Sequence, residues 1–222
     1  MSVGLQVRWL GRLGFAEALA LQEKTVAHKR ENPSAVDQLF LLEHDPVYTI
    51  GRTPDQSSLR GDTALLPHPL FPINRGGQAT YHGPGQLIGY PIIDLHRCGE
   101  DLHRYLRWLE QVVIDLLADY AIGAGRRAGL TGVWVENRKI ASIGVGVRHW
   151  ITMHGFALNV TGDLSPFGRI IPCGIAEVEM TSMQREGKRV ISVVDVAARF
   201  EKLVVMRMTE LRAESTAAAV SA

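Results

Sequence analysis

Residues 87–120 read LIGYPIIDLHRCGEDLHRYLRWLEQVVIDLLADY and contain the two most clearly patterned elements of the chain. Residues 87–95 form an almost continuous apolar run, which is typical of a buried strand. Residues 101–120 carry large apolar side chains at i, i+3, i+4 and i+7, which predicts an amphipathic helix, and Asp101 is placed to cap its start. This stretch therefore predicts a strand followed directly by a long helix.

The segments on both sides add shorter elements. Residues 15–29 predict a helix, and residues 38–43 and 47–50 predict two strands. The elements predicted downstream are a hairpin of residues 131–135 and 140–147, a strand of residues 151–160 and a last helix opened by a capping box at residues 192–195. Hairpins mixed with helices favour an α+β arrangement, a mixed α/β sheet flanked by helices, over a doubly wound sheet.

The chain shows no internal repeat and no linker. We therefore expect residues 1–212 to form a single domain and residues 213–222 a flexible tail. Its 222 residues are enough to bury a core without a disulfide or a metal.

Composition excludes several classes of protein. A formal net charge of +1 gives no general attraction to nucleic acid or to an anionic membrane. Two scattered cysteines fit a reducing compartment, and residues 1–12 lack the apolar core of a signal peptide. No stretch approaches the ~20 apolar residues of a membrane span, so we expect a cytoplasmic protein. Nucleotide-binding glycine loops and zinc-ligand spacing are both missing, which predicts no cofactor and no metal.

Cys173 is the first candidate for chemistry. It lies between Pro172 and Gly174, where proline fixes the approach of the chain and glycine leaves room beside the sulfur. A thiolate there would be a nucleophile. The alternative is a buried structural cysteine, which is how we interpret Cys98.

Lys139, at the predicted hairpin turn, is the second candidate. A partly desolvated lysine beside a thiol can accept its proton and later return it. The alternative is an ordinary solvated lysine, because sequence spacing does not show that Lys139 and Cys173 meet.

A glycine-rich run, RGGQATYHGPGQ at residues 75–86, is the third candidate. Its glycines allow backbone N–H groups to approach a ligand, and Arg75 could bind a carboxylate or a phosphate. A simple turn at a sheet corner would explain the same glycines. Small residues at 142–146 and 155–157 carry a weaker version of this signal, either a slot for a thin apolar chain or close strand packing.

Three histidines are candidates for a base that would activate the cysteine: His82, His149 and His154. Spacing selects none of them. His82 is the best placed because it lies in the glycine-rich run, and its part in proton transfer stays open.

Four ordered segments resemble the lipoyl (octanoyl) transferase family of lipoate biosynthesis. Residues 75–86 look like its signature loop, residues 138–145 like its lysine segment, residues 154–159 like a substrate wall and residues 171–175 like the nucleophile segment. The resemblance implies the catalytic fold shared with biotin and lipoate ligases. It also implies octanoyl-acyl carrier protein as the donor, and as acceptors the lipoyl domains of 2-oxoacid dehydrogenase complexes and the glycine cleavage H protein.

The resemblance also assigns roles. Cys173 would be the acyl-thioester nucleophile and Lys139 its activator. The residues that would line the substrate site are Arg75, Gly76, Gly77, Gln78, Ala79, Thr80, Tyr81, His82, Ser142, Ile143, Gly144, Gly155, Phe156 and Ala157. The alternative on the same fold is an ATP-dependent lipoate or biotin ligase, which would not need Cys173; a non-catalytic binding module and a thiol hydrolase are further alternatives.

Overall fold

Two β-sheets and four helices make up the described part of the chain. The computed structural model describes residues 4–53, 57–59, 63–171 and 178–220, and only the backbone of residues 213–220. The strands are β1 (Leu5–Leu13), β2 (Asp37–His44), β3 (Val47–Ile50), β4 (Leu70–Pro72), β5 (Thr80–His82), β6 (Gln86–Ile92), β7 (Gly125–Arg127), β8 (Leu130–Val135), β9 (Arg138–Arg148), β10 (Ile151–Asn159) and β11 (Glu179–Met180). The helices are α1 (Phe15–Glu31), α2 (Leu102–Asp119), α3 (Met183–Gly187) and α4 (Val193–Val220).

The large sheet is mixed, as the sequence predicted. Its strand order is β1-β2-β6-β10-β9-β8-β7, and β11 pairs with β9 off this path. The β1–β2 and β11–β9 pairs are parallel, whereas the β2–β6, β6–β10, β10–β9, β9–β8 and β8–β7 pairs are antiparallel. A second sheet, β4-β3-β5, has three strands.

Helices cover both faces of the large sheet. The main hydrophobic cluster joins α2 and α4 to one face, with Leu109, Val113 and Phe200 fully buried. A second cluster joins α1 to the opposite face through Ala18 and Val26. A third cluster lies beneath the small sheet. The large sheet is therefore buried on both sides, and the small sheet sits on the α1 side of the molecule with β3 following directly from β2.

The strongest sequence signals gave the correct elements. Asp101 caps α2 as predicted, since its side chain accepts a hydrogen bond from the Arg104 backbone N–H at 2.9 Å. Ser192 similarly accepts from the Asp195 N–H at the start of α4. The α1 helix and strands β2, β3, β6, β8, β9 and β10 are confirmed to within a few residues.

Five short or irregular strands escaped sequence reasoning. The strands β4, β5, β7 and β11 have only two or three residues, too few to show an alternating pattern. Strand β1 does alternate over residues 5–9 and was overlooked. β5 is the clearest correction, because no strand was predicted within the glycine-rich run, whereas residues 80–82 pair with β3 in the small sheet. The backbone of α4 continues to Val220, into residues 213–222 that were predicted to form a flexible tail. The division into a single domain and a tail stays a prediction.

A buried ion pair connects α1 to the large sheet. Lys29 and Asp37 are 2% and 0% exposed, and the Lys29 Nζ lies 2.7 Å from the Asp37 Oδ1. The same ammonium donates to the Ala35 carbonyl at 2.8 Å, and Asp37 accepts from the Asp94 N–H at 3.1 Å. Buried charges need such partners, so this pair fixes where α1 leads into β2.

Candidate active site

A narrow slot opens between the α1-facing side of the large sheet and the small sheet. Its free volume is about 40 Å³. Most of the predicted substrate-contacting residues lie in its lining; they are Arg75, Gly77, Thr80, His82, Ser142, Ile143, Gly144, Gly155, Phe156 and Ala157. The tertiary structure therefore brings the glycine-rich run and the two small-residue segments to one place.

The other predicted substrate-contacting residues of the glycine-rich run do not line the slot and instead make packing and hydrogen-bond contacts within the fold. Ala79 and Tyr81 pack into the cluster beneath the small sheet, and the Ala79 N–H donates to the Ser58 Oγ at 3.1 Å. Gly76 and Gln78 are also outside the slot lining. The Gly76 N–H donates to the Val145 carbonyl at 3.1 Å, which fastens the run to β9.

Arg75 is held at the slot by backbone carbonyls. Its guanidinium donates to the Gly76 carbonyl at 2.9 Å, to the Thr49 carbonyl at 3.2 Å and to the Thr49 Oγ1 at 3.0 Å. Gly144 makes room for it, since a Cβ there would lie 2.8 Å from the Arg75 Cδ. Arg75 therefore acts as a fixed, 7% exposed positive charge that ties the glycine-rich run to β3.

Three buried histidines are kept neutral: His82 and His154 in the slot lining, and His44 beside the His82 ring. Burial lowers the pKa of His82 well below its ordinary value, and repulsion from His44, whenever that ring is protonated, and from the Arg75 charge lowers it further. Burial, reinforced by Arg75, lowers the pKa of His154 to about 4, and burial also lowers the pKa of His44. Near neutral pH these rings are hydrogen-bonding groups without charge, which suits a slot for an apolar chain.

Hydrogen bonds orient two of these rings. His82 Nδ1 lies 3.3 Å from the Gln86 Oε1, and His82 Nε2 lies 3.4 Å from the Thr49 Oγ1. His44 Nε2 lies 2.7 Å from the hydroxyl of Tyr90, whose pKa burial raises. The hydroxyl of Tyr90 is therefore protonated near neutral pH.

His154 has a strained backbone. Its φ is +58°, an unusual value for a residue within a strand, and its N–H donates to the buried Gln22 Oε1 of α1 at 2.8 Å. Such conformations cost ~1–3 kcal/mol and are found at functional sites more often than elsewhere. His149 differs from the other two candidate histidines, because it is exposed in the turn between β9 and β10 and does not line the slot.

Lys139 is the second residue of β9 and is almost completely buried, at 1% exposure. Its Nζ lies 5.3 Å from the centre of the Trp134 ring, a cation–π distance. Gly132, at φ +129°, leaves space for the side chain, since a Cβ there would meet the Lys139 Cε at 2.7 Å. The Gly132 N–H is fixed in turn by the buried Glu110 Oε1 at 3.0 Å.

Cys173 lies outside the described residues, within 172–177. Its pairing with Lys139 therefore stays a prediction. The described chain resumes at Val178, and β11 then pairs in parallel with β9, with Met180 opposite Lys139.

Cys98 has the surroundings expected of a structural cysteine. It is 2% exposed in the main core, and burial together with the nearby Asp37 carboxylate raises the pKa of its thiol to about 11.

Sequence reasoning missed three residues of the slot. Phe15 at the start of α1, Tyr90 on β6 and Ile73 before the glycine-rich run all line it. Phe15 and Tyr90 are aromatic residues within predicted core elements, so nothing in the sequence distinguished them from ordinary core residues, whereas Ile73 lies outside every predicted element. Only Ile73, two residues before Arg75, carried a usable signal of proximity.

The described residues contain neither a membrane-spanning helix nor a cluster of metal-binding side chains. None of the described helices combines the length and apolarity needed to cross a membrane. Across residues 4–53, 57–59, 63–171 and 178–220, no three histidine, cysteine or acidic side chains cluster in a way that could hold a metal ion.

Solved structures with this fold include ligases. A putative lipoate protein ligase from T. acidophilum with bound lipoic acid matches with a TM-score of 0.67 at 15% identity, over 95% of this chain and 86% of that one. A biotin protein ligase from Aquifex aeolicus matches with a TM-score of 0.55 at 13% identity, over 93% of this chain and 70% of that one. At such identities the likeness shows the fold alone, which confirms the predicted catalytic fold.

Sequence comparison is more specific. Residues 15–204 match the model of the lipoyl protein ligase A/B catalytic domain. A curated relative from Geobacter sulfurreducens, named octanoyltransferase, is 53% identical over 192 residues, which are 85% of this chain and 78% of that protein. The chain therefore belongs to the lipoyl protein ligase A/B catalytic-domain family and, within it, to the octanoyltransferases.

Proposed function

We propose that this protein is an acyltransferase that moves an octanoyl group from a thioester donor to a lysine of lipoyl domains. The observation that carries this proposal is the 53% identity to an octanoyltransferase over 85% of the chain. The narrow slot with its neutral histidines supports it, because an uncharged, thin site suits an alkyl chain. Burial of that chain would contribute ~0.8 kcal/mol per methylene.

The donor in this proposal is octanoyl-acyl carrier protein. The acceptors are the lipoyl domains of 2-oxoacid dehydrogenase complexes and the glycine cleavage H protein. In the first half-reaction the Cys173 thiolate attacks the thioester carbonyl, and the carrier thiolate leaves and takes up a proton. In the second, the lysine amine attacks octanoyl-Cys173, the C–S bond breaks and the amine loses a proton.

Lys139 is the proton carrier in this scheme. It accepts the Cys173 proton before the first attack, and after the second attack the proton lost by the amine restores the thiol–lysine pair. Three features support this role: the burial of Lys139, the fixed ring of Trp134 beside it, and the parallel pairing of Met180, seven residues after Cys173, with Lys139. Exchange of one thioester for another is nearly balanced and amide formation is downhill, so the reaction needs no ATP.

The test combines octanoyl-acyl carrier protein with an unmodified lipoyl domain and follows intact masses. The wild type should form a hydroxylamine-labile octanoyl adduct and then an octanoylated domain. Cys173→Ser should lose the labile adduct and most of the transfer, whereas Cys98→Ala, a control at the buried cysteine of the core, should keep both. Undiminished transfer by Cys173→Ser would remove that sulfur from the mechanism.

A ligase predicts a different requirement. Free octanoate with ATP, supplied without a carrier, should give no octanoylated domain if the transferase assignment is right. Product formation under those conditions would favour the ligase alternative.

A further inference from the structure

Ile73 and His154 stand between the slot and a second, larger cavity. This rear groove has a free volume of about 600 Å³ and includes Ile73 and His154 in its lining. The rest of the lining is mixed: Leu19, Val26, Ala27, Pro72 and Met153 are apolar, and Glu23, Arg30, Asn74, Arg148 and His149 are polar or charged. Ile73 and His154 are thus part of both linings. We propose that these two side chains form the end wall of the slot and set the length of acyl chain that the protein accepts, an inference that rests on the proposed acyl transfer.

The wall lies at the end of the slot far from Lys139. Along β9, Lys139 is followed by Ser142 and Gly144 in the slot lining, and His154 pairs with Val145. The part of β9 that lines the slot therefore runs from Ser142 to the wall opposite Val145, which is three residues or about 10 Å along a strand. A zigzag of C–C bonds of about 1.5 Å makes an eight-carbon chain roughly 9 Å long. An octanoyl chain whose carbonyl lies beside Ser142, at the end of the slot nearer Lys139, therefore reaches the wall with its methyl end.

Backbone contacts hold the wall in place. The Ile73 N–H donates to the Ile50 carbonyl at 2.8 Å, and the Arg75 N–H donates to the Ile73 carbonyl at 3.1 Å. The Gly76 N–H, three residues after Ile73, donates to the Val145 carbonyl of β9. On the other side, Gln22 binds the His154 N–H. Shortening the Ile73 side chain therefore removes part of the wall and leaves the backbone that carries it.

The rear groove would receive the end of a longer chain. Leu19, Val26 and Met153 give it an apolar surface beside the wall, and its volume greatly exceeds that of the slot. Each methylene that enters an apolar site strengthens binding by about fourfold. In the intact protein the wall prevents this gain beyond the end of the slot, whereas a protein without the Ile73 side chain would bind and transfer longer chains.

A competition experiment measures the length preference directly. The enzyme receives an equimolar mixture of hexanoyl, octanoyl, decanoyl and dodecanoyl carrier proteins with one lipoyl domain, and intact mass gives the product ratios. Ile73→Ala should raise the dodecanoyl-to-octanoyl ratio by at least about tenfold over the wild type. Ile73→Phe, which thickens the wall, should shift the products toward hexanoyl. Ile114→Ala makes the same isoleucine change at a half-buried site on α2 and should leave the ratios unchanged.

Two results would overturn the wall. One is a dodecanoyl-to-octanoyl ratio in Ile73→Ala within twofold of that in Ile114→Ala; the other is a shift of Ile73→Phe toward longer chains. Calorimetric binding of free octanoic and dodecanoic acids separates this inference from the proposed function. If the wild type transfers no octanoyl group, the proposed function fails. The wall is then judged by fatty-acid binding alone: stronger dodecanoic acid binding by Ile73→Ala would support it, and unchanged binding would refute it.

Discussion

The buried histidines of the slot should make the fold sensitive to mild acid. His154 has its pKa lowered to about 4 in the folded protein, whereas the ordinary histidine pKa is 6.5. Between these values the unfolded chain binds a proton that the folded chain does not. The contribution of His154 to the free energy of unfolding is therefore fully present above pH 6.5 and decreases as the pH falls below 6.5. Below about pH 4, where the folded protein also binds the proton, this contribution no longer changes.

The size of the effect follows from the same two values. Between pH 7.5 and pH 5.0, protonation of His154 in the unfolded chain alone should lower the free energy of unfolding by about 2 kcal/mol. His82 and His44 act in the same direction, since burial lowers both of their pKa values. A loss of this size is a large fraction of the 5–15 kcal/mol that stabilises a typical domain.

Urea unfolding followed by circular dichroism at pH 7.5, 6.5, 5.5 and 5.0, at constant ionic strength, measures this loss. In His154→Asn, the asparagine tolerates the positive φ and does not titrate, so the decline should be about 2 kcal/mol smaller over the same range. His149→Gln changes an exposed histidine outside the slot and should decline like the wild type. A wild-type free energy of unfolding that is constant from pH 7.5 to 5.0, or a His154→Asn variant that declines as steeply as the wild type, would refute the reasoning.

Three substitutions test the surroundings of Lys139 and the ion pair of α1. Lys139→Ala should slow acylation at pH 7 by up to about 30-fold, and the difference from the wild type should disappear as the pH rises past the ordinary thiol pKa of about 8.5. Stopped-flow measurement of the acylation rate against pH checks this. A difference that stays constant with pH would show that Lys139 has only a structural role. Gly132→Ala should lose roughly 1–3 kcal/mol of stability from backbone strain and also slow transfer, because its Cβ would collide with the Lys139 Cε. Gly129 also has a positive φ, but a Cβ there would have no neighbour within 4 Å. The control Gly129→Ala should therefore lose stability while its folded fraction keeps the wild-type transfer rate. Equal transfer rates in the two variants would contradict the proposed collision with Lys139. Asp37→Asn leaves the Lys29 ammonium buried without its carboxylate and should cost about 3–5 kcal/mol in urea unfolding, and a loss no larger than that of an exposed change such as Glu201→Gln would show that the pair is not needed.

Local patterns were sufficient where an element is long and faces both core and solvent. The 18 residues of α2 repeat their apolar positions often enough to fix both the helix and its buried face, and Asp101 marked its first turn. The short strands had no such redundancy. β5 consists of only Thr80–His82 within a run of glycines, and its partners on β3 lie 31 to 35 positions earlier in the chain.

The sequence by itself determined the class of fold, the family and the identity of the chemical groups, because these depend on ordered motifs and on side-chain types. Only the tertiary structure decided which of those groups share one slot, that Arg75 is occupied by backbone carbonyls, and that Ile73 stands with His154 at the end far from Lys139. The physical reason is that hydrogen bonding and burial act across space. The neutrality of His82 and the end of the slot arise from residues on separate strands, and no spacing along the chain records how those strands pack.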